Sequence, residues 1–259
     1  MLSTKNLSSN IVLGQLYALW LREIKVFLRE RSRLVASTFT PLLWLIVIGS
    51  GLGSTNLQIG TDYEKFIFPG IICMSVIFTS VFFGAYIIWD RKFDFLKSVM
   101  VAPSSRTTVF IGKTLGGMTT SLFQVAIILV VGIVLGINYD VLSLLQILSI
   151  VLILSFCLTS LGLTFGSYLE SLEGFQLIIS FIVFPLFFLS GALFPIDNLP
   201  AWLKLITLVD PATYSVDALR NSILHLGTYS FEYDLAVLLL FTFIITIIGI
   251  LSFRRMKAV

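Results

Sequence analysis

Residues 144–168 read LLQILSIVLILSFCLTSLGLTFGSY, twenty-five positions without a single Asp, Glu, Lys, Arg or His. At about 1.5 Å of rise per residue, a helix of that length exceeds the ~30 Å hydrocarbon layer of a bilayer. Five further uncharged runs follow the same pattern, at 34–53, 66–89, 114–136, 175–194 and 235–253. Across the 259 residues, 57% are hydrophobic and 12% charged, with a mean hydropathy of +1.01. Soluble domains run near 45–50% and 25%. No water-soluble fold hides so much apolar surface, so the sequence predicts an all-α integral membrane protein with about six transmembrane helices.

Around these spans the chain divides into residues 1–33 and a membrane domain, 34–259. The opening stretch has one lysine and no apolar core leading to a cleavage site, so a removable signal peptide is not expected. From about Ser9 to Arg33, Leu13, Leu16, Trp20, Ile24 and Phe27 recur at spacings of three and four, with Gln15, Arg22, Lys25 and Arg29 on another arc. That pattern predicts an amphipathic helix too charged to cross, suited to the headgroup boundary. Pro41 and Pro185 lie inside spans and should kink them. Cys73 and Cys157, far apart within apolar runs, read as small buried hydrophobes.

Basic residues set the orientation, because Lys and Arg resist translocation beside a span. Six precede the first span, five (Arg91, Lys92, Lys97, Arg106 and Lys113) follow the second, and three lie in the tail. The remaining loops hold only Lys65, Lys204 and Arg220. Both termini are therefore expected in the cytoplasm, with the chain multi-pass in the plasma (inner) membrane. A net charge of +3 gives no reason to expect nucleic acid.

The chemistry the runs lack narrows the function. A transporter driven by protons or sodium usually keeps an ionisable residue at membrane depth, and none lies inside the six runs as bounded. A secondary transporter of a small apolar solute stays as the alternative, and an energy source outside the bilayer fits better. The one histidine, His225, falls in the last outer loop, which leaves no paired-histidine metal site and no serine–histidine pair at depth. Gly112-Lys113-Thr114 resembles the end of a phosphate-binding loop, but Thr107 stands where that motif needs its first glycine. No metal, no nucleotide site and no catalytic residue is expected in this chain.

Two segments carry the remaining information. The loop 90–113 contains Asp90, Arg91, Lys92, Phe93, Phe95, Leu96, Lys97 and Met100; as a short helix it puts Phe93, Leu96 and Met100 on one face until Pro103 ends it. Such knobs seat in a groove of a soluble partner or rest on lipid, and the pattern alone does not choose. The segment 195–233 is too apolar for a free loop and too short to cross twice. It reads as two short helices broken at Asp210-Pro211, with Asp210 capping the second, in a re-entrant outer hairpin. Asp217 and Arg220, three apart, could pair. The abundant phenylalanines hint at an apolar substrate path, although packing is the commoner use of a ring.

Leu-Ser-Gly-Ala-Leu-Phe-Pro at 189–195, Leu-Pro-Ala-Trp-Leu at 199–203, Asp-Pro-Ala-Thr-Tyr-Ser-Val-Asp-Ala-Leu-Arg at 210–220 and Val-Ala-Pro-Ser-Ser-Arg at 101–106 resemble the membrane subunit of ATP-binding-cassette exporters of the type-2 permease family. The likeness is to the branch of daunorubicin-resistance and nodulation-factor export permeases. It departs at Asp210, where the family commonly has Asn, and at Lys92 and Phe93, where Glu and Gly are frequent. The resemblance implies a permease that pairs with a second copy or paralogue and with two separate ATPase subunits, which would bind the ATP and magnesium. It implies export of an amphipathic or lipid-like molecule. Asp90, Arg91, Lys92, Phe93, Phe95, Leu96, Lys97, Met100, Ala102, Pro103, Ser105 and Arg106 would belong to the coupling element. Ser190, Gly191, Phe194, Pro195, Leu199, Pro200, Trp202, Asp210, Pro211, Tyr214, Asp217 and Arg220 would belong to the outer gate. It names no substrate-binding residues.

Overall fold

The computed structural model describes residues 2–53, 63–93, 95, 105–196 and 199–256. Among them the chain forms ten helices and no strand. They are α1 (Leu2–Arg29), α2 (Arg31–Gly53), α3 (Tyr63–Phe82), α4 (Ala85–Lys92), α5 (Arg106–Val134), α6 (Val141–Tyr168), α7 (Leu172–Leu189), α8 (Ala201–Thr207), α9 (Pro211–Leu224) and α10 (Phe231–Arg255). Five stretches are long and apolar enough to cross a membrane: Tyr63–Lys92, α5, α6, α7 and α10. The first expected span is the helix α2, whose described apolar part is Val35–Gly49.

Local capping chemistry sets where these helices begin. Ser105, Asp140, Ser171 and Ser230 each accept a hydrogen bond from the backbone N–H three residues on, at 3.0, 2.8, 3.0 and 3.4 Å. A cap of this kind stabilises a helix by about 1 kcal/mol. Ser105 starts α5 at Arg106, eight residues before the apolar run does, so Lys113 lies within a membrane-length helix rather than in a loop.

The core is organised around α3. Fifteen of its twenty residues are buried, and α2, α5, α6, α7 and α9 pack around it. In α10 only Asp234, Leu238, Gly249, Ser252 and Phe253 are buried; Leu240, Phe243, Ile248 and Leu251 face outward. An outward apolar face of this size suits lipid.

The prolines expected to kink spans sit inside uninterrupted helices, as does Pro69. The second span breaks at Phe83–Gly84, where the hydrogen bonds shorten to three-residue steps, Gly84 N–H to Val81 O and Ile87 N–H to Gly84 O. The cause is a backbone crossing with α6. A Cβ on Gly84 would land on Gly162 O, one on Gly162 on Val81 O, and one on Gly166 on Gly84 O. Gly162 and Gly166 form a small-xxx-small pair, the pattern that lets membrane helices meet backbone to backbone.

Gly162→Val should therefore lower the melting temperature of the detergent-solubilised protein sharply, because the added carbons meet backbone rather than a movable side chain; overpacking of this kind costs about 1–3 kcal/mol or more. Gly14→Ala, where an added Cβ meets nothing within 4 Å, should leave it unchanged or slightly raised.

Candidate coupling interface

The two ends of the bundle differ in chemistry. At one end, which we call the basic end, α4 leads into the segment 93–105 and α5 leaves it. Here Lys113 has no exposed surface, yet it carries an ammonium. Its Nζ lies 2.9 Å from Glu23 Oε1 and also contacts Asp90 Oδ2. Arg22 reaches the same two carboxylates, Nη1 to Glu23 Oε1 at 2.7 Å and Nη2 to Asp90 Oδ1 at 2.7 Å. Two cations and two anions thus close a neutral network joining α1, α4 and α5. Each ion loses several kcal/mol of hydration on burial, so its partners must be held in place.

Glycines let α1 approach closely enough. A Cβ on Gly112 would come within 2.8 Å of Leu19 Cβ, and one on Gly116 within 2.5 Å of Glu23 Cβ. The inward row of α1 is Leu19, Glu23 and Phe27. Of the apolar stripe expected from the sequence, Phe27 is in this row, Leu16, Trp20 and Ile24 are half-buried and Leu13 is exposed, because Lys113 draws the Glu23 edge of the helix inward. Trp20 Nε1 donates to Thr119 Oγ1 at 2.9 Å, and Phe27 meets Phe123 edge-on.

The neighbouring arginines hold helix ends. Arg91 donates to Gly166 O at 2.8 Å and to Ser167 O and Leu169 O at 3.3 Å, at the C-terminus of α6. Arg106 donates to Arg254 O at 2.7 Å and Met256 O at 2.8 Å, at the C-terminus of α10. Both satisfy carbonyls that a helix leaves open and face the negative end of its dipole. Tyr86 donates to Glu30 Oε2 at 2.8 Å, which ties α4 to the α1–α2 junction.

Of the residues assigned to coupling from the sequence, Asp90 is buried in the network, Arg91 and Arg106 hold helix ends, and Ser105 caps α5. Phe95 lies under the Arg22 guanidinium, 3.4 Å from ring centroid to Cζ. Phe93 is 68% exposed and stacks on Trp89 at 5.5 Å, with Lys92 Nζ over the same indole. Leu96, Lys97, Met100, Ala102 and Pro103 fall outside the described residues. The residues missed from the sequence are Arg22, Glu23 and Lys113 as a set. The available signal was Gly112 and Gly116 flanking a lysine on one helix face.

At the opposite end, α7 closes through Ser190, whose Oγ donates to Phe187 O at 2.7 Å, and Gly191, with φ of +79°. Gly191 O accepts from Arg220 Nη2 at 2.9 Å, and the same guanidinium lies 4.1 Å over the Phe66 ring. Phe194, Pro200 and Trp202 are exposed, while Pro195 and Leu199 are half-buried. In the short helix α9, Pro211, Tyr214, Asp217 and Arg220 are all buried, and Tyr214 OH donates to Leu208 O at 3.0 Å. The pair suggested for Asp217 and Arg220 is not among the ion pairs of the described residues. Asp217 instead accepts from Thr228 N–H at 2.9 Å and Tyr229 N–H at 2.8 Å, because burial demands full hydrogen bonding. Asp210 caps α9, accepting from Ala212 N–H at 2.8 Å. Burial pushes its carboxyl up to about 8, against the pull of that N–H.

A polytopic helical membrane protein, with one end stitched by buried ion pairs and a short-helix hairpin at the other, is the class that these features define. Residues 14–224 match the ABC-2 type transporter family, and the chain belongs to it. Members of that family are membrane transport subunits of ABC transporters, not enzymes themselves. The chain is 28% identical to the inner membrane transport permease YadH of Escherichia coli K12, over 87% of this chain and 89% of that one. It is 24% identical to nodulation protein J of Rhizobium leguminosarum bv. viciae, over 80% and 81%. With the ycf38 protein of Cyanophora paradoxa it shares 26% identity, over 97% and 92%.

Lys113→Met should destabilise the protein by about 3–5 kcal/mol, since it strands buried carboxylates. Lys113→Met combined with Glu23→Gln, which leaves the Arg22–Asp90 pair, should recover most of that loss in thermal melts. At the other end, a folded-state pKa of about 8 for Asp210 means that the folded protein holds a proton that the unfolded chain releases near pH 4. Stability from this group is full below about pH 4, falls as pH rises, and is lost above about pH 8. Asp210→Asn keeps the cap and removes the titration, so its melting advantage over the parent should widen from pH 5 to pH 8.

Proposed function

We propose that this permease subunit exports an amphipathic or lipid-like molecule from the cytoplasm or inner leaflet of the inner membrane, driven by a separate ATPase that docks at the basic end. What carries the reading is the way the two helices that flank residues 93–105 are joined. These helices, α4 and α5, are tied to each other and to α1 by the Arg22–Glu23–Asp90–Lys113 network, and an exposed aromatic, Phe93, stands at the end of α4. A force delivered to α4 or α5 reaches α1, α4 and α5 together, whereas a flexible tether would absorb it.

The excess of lysine and arginine at this end supports a cytoplasmic position for it and for both termini. Two ATPase subunits would serve a pair of permease chains, either two copies or two paralogues, with ATP and magnesium bound by the ATPases. The hairpin of α8 and α9 then lies at the outer end, where Gly191, Arg220 and Asp217 brace it as part of the exit. Membership of a family of transport permeases supports export, and an inner membrane location follows the naming of YadH.

A tagged form of the chain should bring down a soluble ATPase on purification. Phe93→Glu together with Leu96→Glu should abolish ATP-driven transport, at least tenfold, while leaving the permease inserted and at its parental melting temperature. Full transport by the double variant would overturn the docking assignment.

A further inference from the structure

Two clefts open along the second span on the side that faces α1 and α2, and they share one residue. The first, of about 600 Å³, lies at the basic end between α1 and α4, with Arg22, Glu30, Tyr86, Trp89 and Phe93 on its wall. The second, of about 210 Å³, lies between α2 and α3, lined by Pro41, Met74 and Phe78 and by the hydroxyls of Thr40, Ser75 and Thr79. Phe82 lines both.

Their chemistry is graded. The larger cleft mixes charged groups with aromatic rings, as a surface at the headgroup level does. The smaller is apolar apart from its hydroxyls. Ser75 and Thr79 already donate to Gln124 Oε1, and the fully buried Gln124 Nε2 has no partner among the described residues. About 210 Å³ is less than an independent ligand pocket usually has, whereas 600 Å³ is within the range of about 300–1,000 Å³; the two clefts meet at Phe82. Met74 to Trp89 spans about 22 Å of helix rise, more than one leaflet's share of the hydrocarbon layer, about 15 Å. Phe82 stacks on Phe78 at 6.2 Å, and Phe78 meets Phe184 and Phe187 of α7 edge-on, so an aromatic wall continues past the junction.

We infer that the two clefts form one lateral entry site for a single amphiphile, with its polar head among Arg22, Glu30 and Trp89 and its apolar chain passing Phe82 to lie between α2 and α3. The inference rests on the export reading and its orientation, and it adds a point of entry and a shape of cargo: a narrow apolar chain on a polar head. Phe82 is the gate residue of this path. It is half-buried and stands immediately before the break at Phe83–Gly84, so a shift of α4 relative to α3 moves its ring.

Photolabelling of the full chain in nanodiscs tests this with two lysophosphatidylcholine probes, one with a diazirine at the headgroup and one at mid-chain. The head probe should label the α4 region at Tyr86–Phe93, and the chain probe should label α3 at Phe78 and Thr79. Phe82→Trp should cut chain labelling of α3 at least fivefold and spare head labelling; Phe82→Leu, which widens the junction, should raise it. Chain labelling that ignores both substitutions, or that falls equally on the outward faces of α7 and α10, would reduce the site to ordinary lipid contact and overturn the inference. Labelling needs no ATPase, so this failure is separate from a failure to recover an ATPase with the chain.

Discussion

Lys113 is a full positive charge without access to water, on a helix long and apolar enough to cross a bilayer. That situation is tolerable only with opposite charges held against it, and the surrounding architecture supplies them. Glu23 comes from α1 and Asp90 from α4, and Arg22 balances the second carboxylate. The glycines at 112 and 116 exist in this geometry to let α1 come close enough. A buried ion network of this type is weak evidence for stability, since apolar replacement is often no worse. Its specificity is the informative part: it defines one register of α1 against α5, and so fixes where the segment 93–105 begins and ends.

The second constraint is steric. Gly84, Gly162 and Gly166 bring the second and fourth spans together at backbone distance, and the second span breaks there. The break separates a long central helix, α3, from a short one, α4, that carries Asp90, Arg91 and the aromatic pair Trp89 and Phe93. This element is joined to the core through a break and tied to α1 and α6 by charge and hydrogen bonds. The hairpin end is built differently, from buried carboxylates that accept backbone N–H groups and an arginine that holds the turn at Gly191.

Much of this was legible in the residues. Uncharged runs of about twenty marked the spans, and Asp210-Pro211 marked both the break in the hairpin and the cap of its second helix. The family-like stretches at 189–203 and 210–220 pointed to a type-2 permease. Three features escaped for physical reasons. Bounding runs by their charges excluded Lys113 from the third span, because one lysine looks alike in a loop and in an ion network. The break of the second span at Gly84 was not anticipated, since its cause lies on another helix; Gly162 and Gly166, four apart in an apolar run, were the available sign. The Asp217–Arg220 pairing followed from helical spacing alone, whereas burial directs each side chain to backbone groups from elsewhere in the chain.

In the proposed function, work enters this bundle from a separate nucleotide-hydrolysing protein. Proteoliposomes holding the permease, with and without its ATPase, decide this when movement of a fluorescent amphiphile is followed under ATP and under imposed proton or sodium gradients. Movement that requires both the ATPase and ATP, and ignores the gradients, is the predicted result. Transport by the permease alone on an ion gradient would contradict it.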